Sequence, residues 1–469
     1  MTTEIVSPNG LRTRFLSPDR PRLLRTPRFL WSAFTYLHLV FLLALLPTII
    51  GGGVLGDLPL YRTWADSGLD YHFWQGLDAE WVYPIGALLP ITIAGLAGPA
   101  LYQLCWFLMT AILNGLAVGV LTQWGRNVRG FPAAWAWLLL TLLLSPVSLL
   151  RLEGITAPVV VIALTLIARR PIVAAALLAA ATWIKVWPAA VILAVLLTSR
   201  RRLHMLATGT AVTAAVVGFV MLAGGAKFLT GFVTMQSVRA LQLEAPVTTP
   251  WVWLAALHEF HTVVYKNFEI DTREVSGPGA VFTASIMTPI MFAAFAAIAV
   301  LICVALWRGA DAADLLLTGA LALVSAFIVF NKVGSPQYML WLVPVVVVGV
   351  GRSWRRWRIP LCILIAAAGL TTLVFPIYYL PLVGGNLFAV SLLTARNALL
   401  VAMLIWALLS VTRAAHRPEA TGASHVAPIR VPKSVARTLV NLPWWKAAVT
   451  PESGFRRRGT ERPYRAAGA

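Results

Sequence analysis

The sequence predicts an all-α polytopic membrane protein with about 12 transmembrane helices, and with interfacial helices in the first outer loop. Two observations on composition support this class: 59% of the 469 residues are hydrophobic, and only 12% are charged. A soluble domain carries roughly 25% charged residues, so this chain cannot cover a water-facing surface. The third observation is that long apolar segments alternate with short polar stretches along the chain.

The two ends of the chain differ from its middle. Residues 1–28 are polar and rich in Arg and Pro, and residues 412–469 are rich in Pro, Arg and Ala. We expect both to be disordered basic tails in the cytoplasm, because Pro blocks helix formation and little apolar surface is available for a core. The region 29–411 is the predicted membrane domain. Its first apolar run has no small-residue cleavage site, which indicates a retained transmembrane helix.

The apolar segments set the predicted topology. The first is long enough to cross a ~30 Å hydrocarbon core at 1.5 Å per residue. Residues 85–97 are too short to cross, so we expect an interfacial or half-inserted helix there. Two other short segments are expected to line a cavity. With outer loops at 51–83 and 225–280, the spans are predicted at about 29–50, 99–122, 132–149, 155–168, 172–184, 187–199, 203–224, 281–306, 312–330, 338–350, 360–377 and 387–411.

The charges divide unevenly between the two sides of this topology. One side holds 29 of the 38 Lys and Arg residues, eight lie on the other side, and Arg396 lies inside a span. Eleven of the 18 acidic residues lie on the Lys- and Arg-poor side. The positive-inside rule therefore places both termini in the cytoplasm of a plasma-membrane protein. The net charge of +20 reflects topology and attraction to anionic lipid, and we expect no nucleic-acid partner.

Several classes of site are absent from the sequence. It contains no HExxH, GxSxG, GxxxxGK[ST] or Gly-rich dinucleotide motif. The three cysteines lie far apart inside apolar runs, which predicts neither a disulfide nor a metal site. His258 and His261 could form a metal pair, but no third ligand has a suitable spacing, so they are interpreted as solvated loop residues. We expect no metal and no cofactor.

The ionisable residues on the outer side suit transfer chemistry on a phosphate ester. Charged groups beside apolar spans are costly unless they line a wet cavity or pair together. Arg and Lys bind phosphate, and a carboxylate can take the proton of an attacking hydroxyl. Asp57 follows the first span directly, within an acidic loop, and is the predicted base. The other outer groups beside spans are Glu153, Glu244, Arg62, Arg151, Lys185, Arg239 and Lys332.

Four stretches in order carry a family resemblance. GDLPLY around Asp57, followed by WVYP at Trp81–Pro84, resembles the first outer loop of glycosyltransferase family 87 in the GT-C superfamily. Three further stretches are similar to this family: TWIKVWPAAVIL around Lys185, VRALQLEAP around Arg239, and KVGSPQYMLWLVP around Lys332. The resemblance covers about residues 30–411. One departure is Ile85 after Tyr83 and Pro84, where the family commonly has a second Pro.

The resemblance implies a GT-C-type fold and a function. The implied enzyme is an actinobacterial mannosyltransferase that uses polyprenyl-phosphate-mannose, inverts the anomeric centre and needs no metal. The acceptor would be a hydroxyl of a glycolipid or lipoglycan on the outer face, and membrane lipid would surround the protein. Asp57 would be the general base, and the donor phosphate would be bound by Lys185, Arg239, Lys332, Arg62 and Arg151. The expected substrate-binding residues are Tyr61, Tyr83, Gln242, Glu244, Gln337 and Tyr338.

Other interpretations remain open at this stage. The sugar could be arabinofuranose, which also travels on polyprenyl phosphate, although the resemblance favours mannose. A transporter or flippase of polyprenyl-linked sugars would use similar cations. A transporter should, however, carry ionisable groups near the midplane of several spans, whereas here they lie mostly at one end. A scaffold without catalysis would not need so many costly polar groups on one side.

Overall fold

The computed structural model describes residues 24–237, 239–268 and 272–416. Most of both predicted tails therefore lies outside the described residues. The helices are α1 Pro27–Ile50, α2 Leu58–Tyr71, α3 Leu88–Gly95, α4 Tyr102–Thr122, α5 Phe131–Leu143, α6 Ser145–Leu149, α7 Glu153–Leu166, α8 Pro171–Ile184, α9 Pro188–Thr198, α10 Arg202–Leu222, α11 Gly231–Ser237, α12 Thr249–Ala256, α13 Ala280–Trp307, α14 Ala312–Val329, α15 Met339–Arg352, α16 Trp354–Thr372, α17 Tyr379–Val383 and α18 Leu387–His416.

The predicted class, a helical polytopic membrane protein, is confirmed. Within the described residues, seven helices are long and apolar enough to cross a membrane: Pro27–Ile50, Pro99–Thr122, Arg202–Leu222, Ala280–Trp307, Ala312–Val329, Trp354–Ile377 and Leu387–His416. The remaining predicted spans coincide with shorter apolar helices, of 10 to 17 residues. The first outer loop contains α2 and α3, in agreement with the expected interfacial helices.

The bundle is organised around α14 and α15. Nearly every residue of α15 is buried, and α14 is the most enclosed of the seven long apolar helices. α14 packs against α9 and α18, and α15 packs against α5, α7 and α16. By contrast, α10 exposes most of its apolar residues, as a helix in contact with lipid does. The loop between α14 and α15 therefore emerges from the centre of the bundle.

A small antiparallel sheet lies in the second large outer loop. Its strands are β1 Leu241–Gln242, β2 Val263–Asn267 and β3 Thr272–Ser276, with β3 in the middle. The register pairs Leu241 with Val275 and Gln242 with Glu274. The sheet fixes the segment that leads from Arg239 to Glu244, because β1 is held along its length by β3.

An ion-pair cluster joins helices at the opposite end of the bundle. Asp311 caps α14, where its carboxylate accepts from the backbone N–H of Asp314. Arg352, at the end of α15, contacts both aspartates at 2.8 and 2.7 Å, and Arg356 of α16 contacts Asp314 at 2.6 Å. This cluster fixes the ends of α14, α15 and α16 relative to one another.

We expect Gly349→Ala to destabilise the protein. A Cβ at this position of α15 would lie 2.1 Å from the ring of the buried Trp357 on α16. Relief of that overlap should lower the free energy of unfolding by about 1–3 kcal/mol. The melting temperature of the detergent-solubilised protein measures the change. Gly369→Ala is the matched control, because nothing lies within 4 Å of its Cβ. Equal melting temperatures for the two variants would contradict this packing.

Candidate active site

Asp57 lies in a loop whose backbone is fixed from two sides. The backbone N–H of Leu55 donates to the side chain of Gln103 at 2.8 Å. Gly56 has a φ of 67°, and a Cβ there would meet the Cβ of Leu150 at 2.9 Å. Glycine is therefore required on both conformational and steric grounds. This close approach places Asp57 beside the next residue of the other loop, Arg151.

The carboxylate of Asp57 is used for side-chain contacts and does not cap a helix. Asp57 precedes α2, but its side chain makes no capping hydrogen bond to the backbone of that helix. Its Oδ2 lies 2.9 Å from Nη1 of Arg151 and accepts from the hydroxyl of Tyr61 at 3.4 Å. In the described part of the chain, both contacts fall on Oδ2. The other oxygen, Oδ1, is available to an incoming hydroxyl.

Arg151 connects Asp57 to the centre of the bundle. Its Nη1 also donates to Oε1 of Gln337 at 2.8 Å, and that oxygen accepts from the hydroxyl of Ser335 at 2.5 Å. The guanidinium lies over the ring of Phe375, 5.5 Å from its centroid. Gln337 lies in the short turn just before α15, so the position of Arg151 depends on a residue 186 positions away in sequence.

A second ion pair lies next to the first. The Nζ of Lys185, between α8 and α9, lies 3.2 Å from Oε1 of Glu153, whose side chain is fully buried. The same ammonium lies 4.2 Å from the centroid of the Tyr83 ring, in a cation–π contact. Lys185 thus lies where two of the short apolar helices meet.

Aromatic side chains line the region around these two pairs. Tyr61 is buried, and its ring contacts those of Tyr83 and Trp64, with centroids 6.2 and 5.8 Å apart. Tyr338 stacks on Trp341 with centroids 3.8 Å apart. The predicted substrate-binding tyrosines Tyr61, Tyr83 and Tyr338 are therefore packed against other aromatic rings.

Arg239, Lys332 and Gln242 form a neighbouring group. The backbone N–H of Gln242 donates to the carbonyl of Lys332 at 3.0 Å, and the N–H of Gly334 donates to Oε1 of Gln242 at 3.2 Å. The Nε of Arg239 is buried and has no hydrogen-bond partner among the described residues. Lys332 is buried and lies close enough to Arg239 and Glu274 for their charges to act on it.

Two of the predicted residues have other surroundings. Arg62 donates to the carbonyls of Gly52 and Pro99, at 2.9 and 3.5 Å, away from the ion pairs. The carboxylate of Glu244 is bound by Arg396 at 2.7 Å. In the structure, Arg62 and Glu244 both bind other parts of the protein. The sequence analysis predicted a phosphate contact for Arg62 and a substrate contact for Glu244.

The electrostatic environment differs between Asp57 and the cations. Burial raises the pKa of Asp57, and the positive charges of Arg151 and Lys185 oppose that rise. Burial lowers the pKa of Lys185, but Glu153, Tyr83 and Tyr338 together outweigh it, so the net shift of this pKa is upward and the ammonium stays charged. Burial lowers the pKa of Lys332. Asp57 is thus a carboxylate of raised pKa beside the cations Arg151 and Lys185.

Sequence reasoning gave no role to three residues of this region, Arg396, Ser335 and Glu274. Arg396 and Glu274 are buried, and Ser335 is half-buried. Arg396 could have been found, because a lone charge inside a span indicates a buried partner. Among the described residues, no group of three His, Cys, Asp or Glu side chains could hold a metal ion.

We expect Gly334→Ala to disturb the loop that carries Lys332. A Cβ at this position would lie 2.2 Å from the backbone nitrogen of Ala245, and backbone cannot move aside as a side chain can. The free energy of unfolding should fall by about 1–3 kcal/mol, measured as a lower melting temperature. Gly218→Ala, with nothing within 4 Å of its Cβ, should leave it unchanged. A Gly334→Ala protein as stable as wild type would contradict the close contact.

Comparison with known proteins identifies the family. Residues 81–330 match glycosyltransferase family 87, just over half of the chain. No curated protein matches the sequence. Among solved structures, ArnT from Cupriavidus metallidurans bound to undecaprenyl phosphate aligns with 16% identity and a TM-score of 0.39, covering 81% of this chain and 77% of that one. The chain belongs to glycosyltransferase family 87, and it is a multi-pass membrane glycosyltransferase.

Proposed function

We propose that this protein transfers a mannosyl residue from polyprenyl-phosphate-mannose to a hydroxyl of a glycolipid or lipoglycan. The active site lies on the outer face of the plasma membrane, and both termini lie in the cytoplasm. The observation that supports the proposal is the Asp57–Arg151 ion pair beside Lys185, in which a carboxylate lies next to cations. Membership of family 87 supports glycosyl transfer. The choice of mannose and of the polyprenyl carrier rests on the motifs around Asp57, Lys185, Arg239 and Lys332.

The reaction requires a base and a stabilised leaving group. The acceptor hydroxyl attacks the anomeric carbon as the bond between that carbon and the phosphate oxygen breaks. Oδ1 of Asp57 takes the hydroxyl proton, and polyprenyl phosphate leaves with the electron pair. Attack from the face opposite the phosphate converts a β-linked donor into an α-linked product.

The cations would stabilise the charge that develops on the leaving phosphate. Preorganised positive groups act most strongly where charge appears in the transition state. Lys185 and Arg151 adjoin Asp57, whereas Arg239 offers a buried N–H without a partner in the described part of the chain. Lys332 lies close enough to Arg239 for the charge of Arg239 to act on it. Arg62 is the weakest member of the predicted set, because carbonyl oxygens occupy its guanidinium.

Arg151 has a double role in this proposal. It holds the carboxylate of Asp57 in place, and its charge opposes the rise in pKa that burial causes. The charge of Arg151 therefore favours the ionised form of Asp57, which is the form that can act as a base. Because Gln337 fixes Arg151 from the start of α15, the base is oriented by the rigid centre of the bundle.

We expect Asp57→Asn to abolish most of the activity. The amide cannot accept the hydroxyl proton, and loss of a general base lowers kcat by about 10²–10⁴. The measurement is transfer of radiolabelled mannose from polyprenyl-phosphate-mannose in membranes, with protein abundance determined by immunoblot. Asp78→Asn is the control, because the Asp78 carboxylate accepts from the N–H of Trp74 in a local turn. Wild-type activity in the Asp57→Asn variant would overturn the assignment of the base.

We expect Arg151→Gln to shift the pH dependence of the remaining activity. Arg151 lowers the pKa of Asp57 against the effect of burial. Its removal should raise that pKa, so the acidic limb of the profile of kcat/KM against pH should move to higher pH. Arg352→Gln, at the opposite end of the bundle, should leave the limb where it is. A limb that stays in place or moves to lower pH in Arg151→Gln would show that this pair does not control the base.

A further inference from the structure

Arg396 is a buried cation inside the last long apolar helix. It lies nine residues after Leu387, which places it about 14 Å along α18 at 1.5 Å per residue. Only 1% of its surface is exposed. A charge at this depth is costly unless it is fully paired, so we expect Arg396 to have several hydrogen-bond partners.

The guanidinium of Arg396 binds one segment of the second large outer loop with several hydrogen bonds. Nη1 donates to Oε2 of Glu244 at 2.7 Å, and Nη2 donates to the backbone carbonyl of the same residue. Nη2 and Nε also donate to Oδ1 of Asn397, at 2.9 and 3.2 Å. The amide of Asn397 donates in turn to the hydroxyl of Thr249 at 2.9 Å. The planar fork therefore fixes both the side chain and the backbone of Glu244.

The segment that Arg396 holds is the one that carries Arg239 and contacts Lys332. Gln242, two residues before Glu244, binds the backbone of Lys332 and Gly334. The α-carbon of Gly334 packs directly against the backbone of Ala245, since a Cβ there would overlap with it. A displacement of Glu244 would therefore move both cations.

We propose that Arg396 is a positioning residue for the donor site. It fixes the segment 239–245 against the loop that precedes α15, and so sets the positions of Arg239 and Lys332 relative to the donor phosphate. It acts through Glu244 and touches no reacting atom. This inference rests on the proposed polyprenyl-phosphate donor. Glu244, which was predicted to contact substrate, is the residue through which Arg396 acts.

Arg396→Lys tests the role of the fork. A lysine keeps the charge, but it has no planar set of donors for a carboxylate, a carbonyl and an amide together. Glu244→Gln breaks the same pair from the loop side and serves if Arg396→Lys fails to fold. Arg352→Lys is the matched control, because it makes the same change in an ion pair at the opposite end of the bundle.

The experiment measures donor recognition apart from overall stability. The full-length protein in lipid nanodiscs is titrated with polyprenyl phosphate, and KM values are determined for polyprenyl-phosphate-mannose and for the acceptor. We expect Arg396→Lys and Glu244→Gln to raise the Kd for polyprenyl phosphate and the donor KM roughly ten- to hundredfold. The acceptor KM should stay within about twofold, and Arg352→Lys should match wild type in all three constants.

Two results would overturn the inference, and they can be told apart. If folded Arg396→Lys or Glu244→Gln protein keeps the wild-type Kd and donor KM, even with a lower melting temperature, then Arg396 has only a structural role. If wild-type protein itself binds no polyprenyl phosphate, the proposed donor is wrong, and the role of Arg396 at the donor site fails with it.

Discussion

The ion pair between Asp57 and Arg151 is the interaction on which the site depends. Burial alone would favour the neutral carboxyl group, and the nearby guanidinium opposes this by stabilising the charged form. The pair also joins parts of the chain that differ in burial: Asp57 follows the largely exposed helix α1, whereas Gln337, which binds Arg151, lies just before the buried helix α15. The Asp57 carboxylate thus receives its orientation from the centre of the bundle.

The cations surrounding this pair are held by three further arrangements. Lys185 is fixed by the buried Glu153 and the ring of Tyr83. Arg239 and Lys332 depend on backbone hydrogen bonds of Gln242 and on the tight packing of Gly334. Buried polar groups of this kind are expensive when they are only partly satisfied. Their concentration at one end of an otherwise apolar bundle is consistent with a site that binds a phosphate.

The helices could be predicted from the sequence because hydropathy is a local property. The segment predicted at about 29–50 corresponds to Pro27–Ile50, and the one predicted at about 387–411 corresponds to Leu387–His416. Asp57 could be singled out because it follows the first span directly. The pairing of β1 with β3 and the hydrogen-bond and ion-pair partners of the Arg151 and Glu244 side chains could not be predicted, because they join residues between 32 and 186 positions apart. Such pairings follow from tertiary packing, which a local pattern does not record.

The central claim is that Asp57 acts as the base beside cations that hold the donor phosphate. The most direct measurement is a cryo-EM structure of the full-length protein with a non-transferable polyprenyl-phosphate-mannose analogue and an acceptor glycolipid. We predict the acceptor hydroxyl about 3 Å from the Asp57 carboxylate, and the phosphate in contact with at least two of Lys185, Arg239 and Lys332. A phosphate bound away from these cations, or an acceptor hydroxyl beyond the reach of Asp57, would contradict the claim.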